Sequence, residues 1–172
     1  ANDGLVEIRP GSGTYVLVDS FDPANSVIEN TNPLELIDTR FALEPHICRL
    51  AVLYARPEEL DRADELLAQM DNCINDIEGF SAADTAFHTL LAKTTGNQLL
   101  IWIVERINGV RNQEQWARMR RMTLTEKTIS QYNLHHRQII DAIRAREPEQ
   151  AATAMQDHLG SARLSLTRVA ST

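Results

Sequence analysis

Asp84-Thr85-Ala86-Phe87-His88 sets a carboxylate and an imidazole four residues apart, one turn along a helix and on the same face. Phe87, Leu90 and Leu91 continue at helical spacing, so this face points toward a core. Polar groups placed there need partners, because an unpaired buried donor or acceptor costs roughly 1–3 kcal/mol. Candidates lie downstream. His136 stands in the stripe Ile129, Tyr132, Ile139, Ile140 and Ile143, and His158 stands among Ala151, Met155 and Ala162. One aspartate and three histidines from three helices, aimed at one interior, make a candidate metal site. The competing reading is a set of hydrogen-bonded core histidines, and spacing alone leaves both open.

The surroundings of this stretch read as helices. Asn32, Pro33 and Glu35 form a capping box that starts a first helix, running to about Ala55. Its inner face carries Leu36, Ile37, Leu43, Ile47, Leu50 and Tyr54. Pro57 starts a second helix with Leu60, Leu66, Leu67 and Met70 inward. Ser81 with Asp84 three residues on predicts the cap of the third helix, which stops at Gly96. A fourth spans 97–122, with Leu99, Leu100, Trp102, Ile103 and Ile107 apolar and a kink point at Asn108-Gly109. Thr123 with Glu126 begins a fifth helix, ending near Arg146, and Pro148 opens a sixth. Upstream, two β-prone runs within residues 5–18 flank Arg9-Pro10-Gly11-Ser12-Gly13, predicting a hairpin, and residues 19–31 read as a polar linker. The expected fold is all-α, an antiparallel bundle of about six helices preceded by a short β-hairpin.

Composition narrows the function. The chain has 172 residues and a net charge of −7, unsuited to gripping nucleic acid phosphates by itself. No apolar run approaches the ~18–20 residues of a membrane helix, and no signal peptide opens the chain. Cys48 and Cys73 form no zinc or redox spacing and read as reduced thiols of a cytoplasmic protein. The first residues lack an initiator Met and begin in mid-motif, as expected for a piece of a longer protein.

Several motifs taken together resemble a known family. Gly4-Leu5-Val6-Glu7, then Arg9-Pro10-Gly11-Ser12-Gly13-Thr14-Tyr15-Val16, resembles the wing that ends the winged helix-turn-helix domain of GntR-superfamily transcription regulators. Arg40-x-x-x-Glu44, Asp84-x-x-x-His88, Gly96-Asn97, His136-x-x-Ile139-x-x-Ala142-Ile143 and His158-Leu159 resemble the FCD ligand-binding domain of the FadR-like branch. The resemblance divides the chain into a truncated wing at 1–18, a linker at 19–31 and a helical metal- and effector-binding domain at 32–172. It implies that Asp84, His88, His136 and His158 hold a divalent cation, as in the metal-dependent members. Zinc is foremost, and nickel, manganese or iron also suit the ligand set. Three neutral imidazoles and one carboxylate leave a divalent ion with a net charge of about +1, which favours an anionic small molecule.

Other residues carry two readings. Arg40 and Glu44 form either an intrahelical ion pair or, as the resemblance suggests, part of an effector site in which Arg40 grips a carboxylate. Arg106 and Arg111 are weaker candidates for a second anion contact. His46 and His135 read as surface residues, and Arg118, Arg120 and Arg121 as a solvated helix face. The expected function is effector sensing in a homodimeric transcription regulator. A small carboxylic acid binds at the metal and shifts the dimer geometry that controls operator DNA binding through the missing N-terminal domain. No enzyme activity and no membrane partner are expected. The rival readings are a metal-dependent hydrolase and a purely structural metal. Sugar acids, lactate, pyruvate, glycolate and small dicarboxylates all fit a metal plus one arginine.

Overall fold

The computed structural model describes residues 6–16 and 23–170, and it divides the chain into two units, 1–30 and 31–172. In the first unit, β1 (Val6–Arg9) and β2 (Gly13–Val16) pair antiparallel, from Val6 opposite Val16 to Arg9 opposite Gly13. Gly11 has φ +77° and Gly13 φ +109°, backbone that side-chain-bearing residues rarely adopt. Gly4, Leu5, Leu17 and Val18, included in the expected hairpin motif, lie outside the described residues, as do residues 19–22 of the expected linker. Within that same linker, Pro23–Asn30 is a helix, α1.

The second unit is all-α. It holds α2 (Pro33–Tyr54), α3 (Pro57–Asn72), α4 (Ile77–Thr94), α5 (Gln98–Val110), α6 (Glu114–Thr123), α7 (Glu126–Arg144) and α8 (Pro148–Ala170). The start of α2 is the expected capping box. Asn32 Oδ1 accepts from the backbone N–H groups of Leu34 at 2.9 Å and Glu35 at 3.0 Å, and Glu35 Oε2 accepts from the Asn32 N–H at 2.9 Å. Pro45 lies inside α2, where it leaves one helical carbonyl without its usual donor. α2 packs most extensively on α8, α8 on α7, and α4 lies against α3, α2 and α5. The fully buried side chains at these contacts include Ile37, Ile47, Met70, Phe80, Phe87, Ile139, Met155 and Leu159.

The described residues hold eight helices rather than about six. One addition is α1. The other comes from 97–122, which is not one kinked helix but two helices, α5 and α6. Three successive turns, Asn108 O with Arg111 N, Gly109 O with Asn112 N, and Val110 O with Gln113 N, tighten the chain between them. Gln113 is then extended at φ −78°, ψ 147°. Asn108 and Gly109 are poor helix formers, so little is lost by breaking there.

The cap of α4 also differs from expectation. Asp76, not Ser81, accepts from the Gly79 N–H at 2.9 Å, so the helix starts earlier, at Ile77. Ser81 and Asp84 are thereby interior to α4 and available for other partners. At α7 the cap is Thr125 rather than Thr123, accepting from the Thr128 N–H at 3.2 Å. Three side chains placed on inner stripes are exposed: Tyr54, Leu99 and Trp102. Tyr54 is the last residue of α2, and Leu99 and Trp102 share a face of α5 that no described helix covers.

Because Asn32 satisfies two otherwise orphaned donors, Asn32→Ala should cost about 1 kcal/mol of stability and Asn32→Gly only a few tenths. Urea unfolding of the purified domain checks this. Equal midpoints for wild type and Asn32→Ala would show that the start of α2 does not depend on this side chain.

Candidate metal centre

The site is assembled from four helices. Leu36, Ile37 and Ile47 seat the inner face of α2, and that face carries Arg40 and Glu44 inward. Phe80 and Phe87 seat α4 and carry Asp84 and His88 with them. Ile129, Ile139 and Ile143 do the same on α7 for His136, and Met155 and Leu159 on α8 for His158. Asp84 is 1% exposed, His88 and His158 2%, and His136 0%.

These four residues converge. One ligand-capable atom from each lies within 4.8 Å of the others. Asp84 Oδ1 is 3.3 Å from His136 Nε2 and 3.6 Å from His88 Nε2. The His136 and His158 ring centroids are 4.4 Å apart, and those of His88 and His158 5.2 Å. Asp84 Oδ1, both ring nitrogens of His88 and of His136, and Nδ1 of His158 are buried without a hydrogen-bond partner among the described residues. That would be costly for so many polar atoms in one place unless something joins them. Neutral imidazole nitrogens and a carboxylate oxygen are the donor set for a divalent transition ion, so the residues present fit a metal.

The titration behaviour agrees with such a donor set. Burial pushes His136 down to about 4, only partly offset by Asp84. Burial and the neighbouring imidazoles hold His158 well below the usual histidine range. Burial alone would raise Asp84, but Arg111, the imidazoles of His136 and His88, and Arg120 outweigh it and hold the carboxyl well below its ordinary value. His136 and His158 are therefore neutral and Asp84 ionised at neutral pH, the states in which they can hold a cation.

Arg40 and Glu44 sit behind His88. The Arg40 guanidinium meets Glu44 through Nε–Oε1 at 2.6 Å and Nη2–Oε2 at 3.2 Å. Glu44 Oε2 in turn lies 2.8 Å from His88 Nδ1, near enough to hold the ring although off the line of a ring N–H. Burial would raise Glu44, and Arg40 and His88 overcome it and hold it ionised.

The other face of Asp84 meets two more arginines. Arg111 Nη1 donates to Asp84 Oδ2 at 3.1 Å and to Thr85 Oγ1 at 2.7 Å. Arg120 Nη2 lies 3.6 Å from the same Asp84 Oδ2, and Arg120 Nε donates to Ser81 Oγ at 3.1 Å. Arg111 is 9% exposed and Arg120 8%. Burial and the nearby Arg40 push Arg111 down to about 9, which leaves it charged at neutral pH. A cavity of about 390 Å³ opens beside them, between α4, the α5–α6 turn and α6.

The structure thus places Asp84, His88, His136 and His158 together, with Glu44 and Arg40 adjoining and Arg111 on the far side of Asp84. Arg106 is elsewhere, 5.6 Å over the Trp102 ring on α5. His46 is exposed, and His135 is half-buried with its ring 6.2 Å from that of His158. Arg120 is the residue sequence reasoning missed: Arg118 and Arg121 are exposed, but Arg120 is buried. Trp116, one turn earlier and itself buried, was the available signal, since residues four apart share a face.

Comparison with known proteins fits this arrangement. A family profile described as the FCD domain matches residues 35–161. The Uxu operon regulator of Haemophilus influenzae is 28% identical over 94% of this chain and 62% of its own length. The Exu regulon transcriptional regulator of Escherichia coli K12 is 27% identical over 95% of this chain and 65% of its own. The chain therefore spans a little under two thirds of the length of these relatives. Among solved structures, Streptococcus agalactiae GntR superposes with a TM-score of 0.65 at 25% identity, over 94% of this chain and 75% of that one. These relatives are named as regulators, not enzymes. With most of its helical body matched by that profile, the chain belongs to the FCD-domain family, the C-terminal domains of GntR-type transcription regulators.

Proposed function

We propose that this domain is the effector sensor of a transcription regulator, and that it binds a small organic acid at a divalent metal held by Asp84, His88, His136 and His158. The observation that carries the reading is the convergence of four buried donors, from α4, α7 and α8, within 4.8 Å. Zinc is the foremost ion, with nickel, manganese or iron compatible. Bound there, the ion would supply a Lewis-acidic anchor for a carboxylate. Glu44 positions the His88 ring from behind, and Arg40 holds Glu44 ionised and in place, the usual support for a ligating imidazole. Arg40, considered from sequence as a carboxylate grip held in place by Glu44, is more simply read with Glu44 as this support, because each occupies the other's charged edge.

The regulator would be a cytoplasmic homodimer whose operator DNA is contacted outside this domain. The chain's formal net charge of −7 supports that division of labour. The effector changes DNA binding only through a difference in its affinity for two arrangements of the helices. The hairpin of residues 6–16 fits the wing of the DNA-binding domain, and the helical body from 32 onward fits the sensor.

Three tests follow from the geometry. His88→Ala, His136→Ala and His158→Ala should each lose most of the bound metal, and His135→Ala should retain it, as read by elemental analysis of the purified variants. Equal loss in His135→Ala would place the fourth ligand elsewhere on α7.

Acid should destabilise the metal-stripped domain. His136 and His158 stay neutral when folded but protonate near pH 6.5 when unfolded, so the unfolded state binds more protons as the pH falls. Stability is therefore full above about pH 6.5 and declines toward pH 4, by up to ~1.4 kcal/mol per pH unit for each histidine. Urea titrations at pH 7, 6 and 5 measure it, and a flat profile would mean these histidines are not buried neutral.

Finally, a thermal-shift screen of organic acids on metal-loaded protein should give at least one stabilising acid, and stripping the metal should abolish its effect. Metal binding with no acid response would leave a structural ion and remove the sensor reading.

A further inference from the structure

Within the buried cluster, three guanidinium groups face two carboxylates. Arg40 and Glu44 close on each other through two contacts. That leaves Arg111 and Arg120 sharing a single oxygen, Asp84 Oδ2, at 3.1 and 3.6 Å. Both arginines are more than nine-tenths buried, and Arg111 Nε and Nη2 and Arg120 Nη2 have no hydrogen-bond partner among the described residues. One carboxylate cannot neutralise two buried cations, and burying a charge without its counter-charge is strongly unfavourable.

The arrangement around the two arginines is that of a prepared anion site. Trp116 lies 5.9 Å from both guanidinium groups, and Phe80 lies 5.6 Å from that of Arg120. Thr85 and Ser81 each hold one N–H of the pair. Aromatic faces and hydroxyls fix the planar groups and leave edge N–H donors over, the geometry that receives a carboxylate. Both arginines, Ser81, Thr85 and Trp116 line the 390 Å³ cavity. Its size suits a molecule of a few carbons rather than a long chain.

We propose that Arg111 and Arg120 bind a second carboxylate of the effector, so that the acid sensed by this domain is a small dicarboxylate, one end at the histidine side of Asp84 and the other at the arginine side. The inference rests on the sensor reading above and narrows its ligand class. Asp84 is the divider: Oδ1 faces His88 and His136, and Oδ2 faces the arginines. A cation drawn to Asp84 competes with Arg111 and Arg120 for the same carboxylate, which strengthens their attraction for an incoming anion. Metal and dicarboxylate then favour each other's binding, and the coupling is reciprocal.

Calorimetry on the metal-loaded domain, with malonate, succinate, glutarate and adipate beside the monoacids propionate, butyrate, pentanoate and hexanoate, tests the proposal. At least one diacid should bind about tenfold or more tighter than the monoacid of equal chain length, the worth of one charge-assisted hydrogen bond. Arg120→Gln should remove most of that preference without lowering metal content, since it frees Asp84 rather than removing a ligand, and Arg120→Lys should restore part of it. Circular dichroism and the unfolding midpoint of each variant separate lost binding from lost fold, and the wild-type comparison of paired acids needs no variant. Equal affinity for diacids and monoacids, or a preference that survives in Arg120→Gln, overturns the proposal and leaves the sensor reading standing. Metal retention with no acid bound at all overturns both.

Discussion

The ionised carboxylate of Asp84, 1% exposed, is the constraint on which the rest of the structure depends. A lone carboxylate at that depth would carry a prohibitive desolvation cost and would protonate instead. It stays charged because partners approach it from both sides, two imidazoles at Oδ1 and two guanidinium groups at Oδ2. His88 is on the same helix as Asp84, but His136, Arg111 and Arg120 come from α7, the α5–α6 turn and α6, so satisfying one side chain requires these elements to close on α4. The apolar stripes supply the driving force for closure. The polar centre decides which closed arrangement is acceptable, because misplacing any one partner strands a buried charge.

That requirement explains the irregular part of the fold. A continuous helix over 97–122 presents its side chains at one fixed phase. The break at Arg111–Gln113 resets that phase, so that Arg111 from the turn and Arg120 from α6 both reach the same oxygen. The break surrenders some helical hydrogen bonding, replaced in part by three tight turns. It also separates a segment, α6, whose described packing is mainly on α8 and α2 and whose buried side chains are Trp116 and Arg120. α6 is thus held to the bundle as much by a charge contact and an aromatic face as by a hydrophobic stripe.

Much of this was legible from sequence. The four candidate ligands could be placed on common interior faces because Phe87, Ile139, Ile143 and Met155 fix the phase of their helices, and α2, α3 and α8 follow from capping and proline signals at their starts. What was not legible involves weak local signals. Asp76 and Ser81 both precede plausible helix starts, and local chemistry does not choose between them. The burial of Arg120 depends on a tertiary partner 36 residues away, Asp84, and on a helix break that Asn108-Gly109 permits but does not dictate. Leu99 and Trp102 follow a helical apolar pattern but lie on the open face of α5, since periodicity identifies a stripe without saying what covers it.

The choice of arginine on one side of Asp84 and histidine on the other has a physical consequence. Imidazole gives up its charge when buried, as the lowered values of His136 and His158 show, and so becomes a lone-pair donor suited to a cation. Guanidinium keeps its charge under the same burial: Arg111 falls only to about 9. One buried cluster of side chains therefore contains a cation-seeking half and an anion-seeking half, separated by one carboxylate. Whatever binds either half changes how strongly Asp84 is held by the other. Because Arg111 lies at the α5–α6 turn and Arg120 within α6, both cationic partners of Asp84 Oδ2 belong to the segment joining α5 to α7. The charge balance at the centre and the position of α6 are thus set by the same contacts.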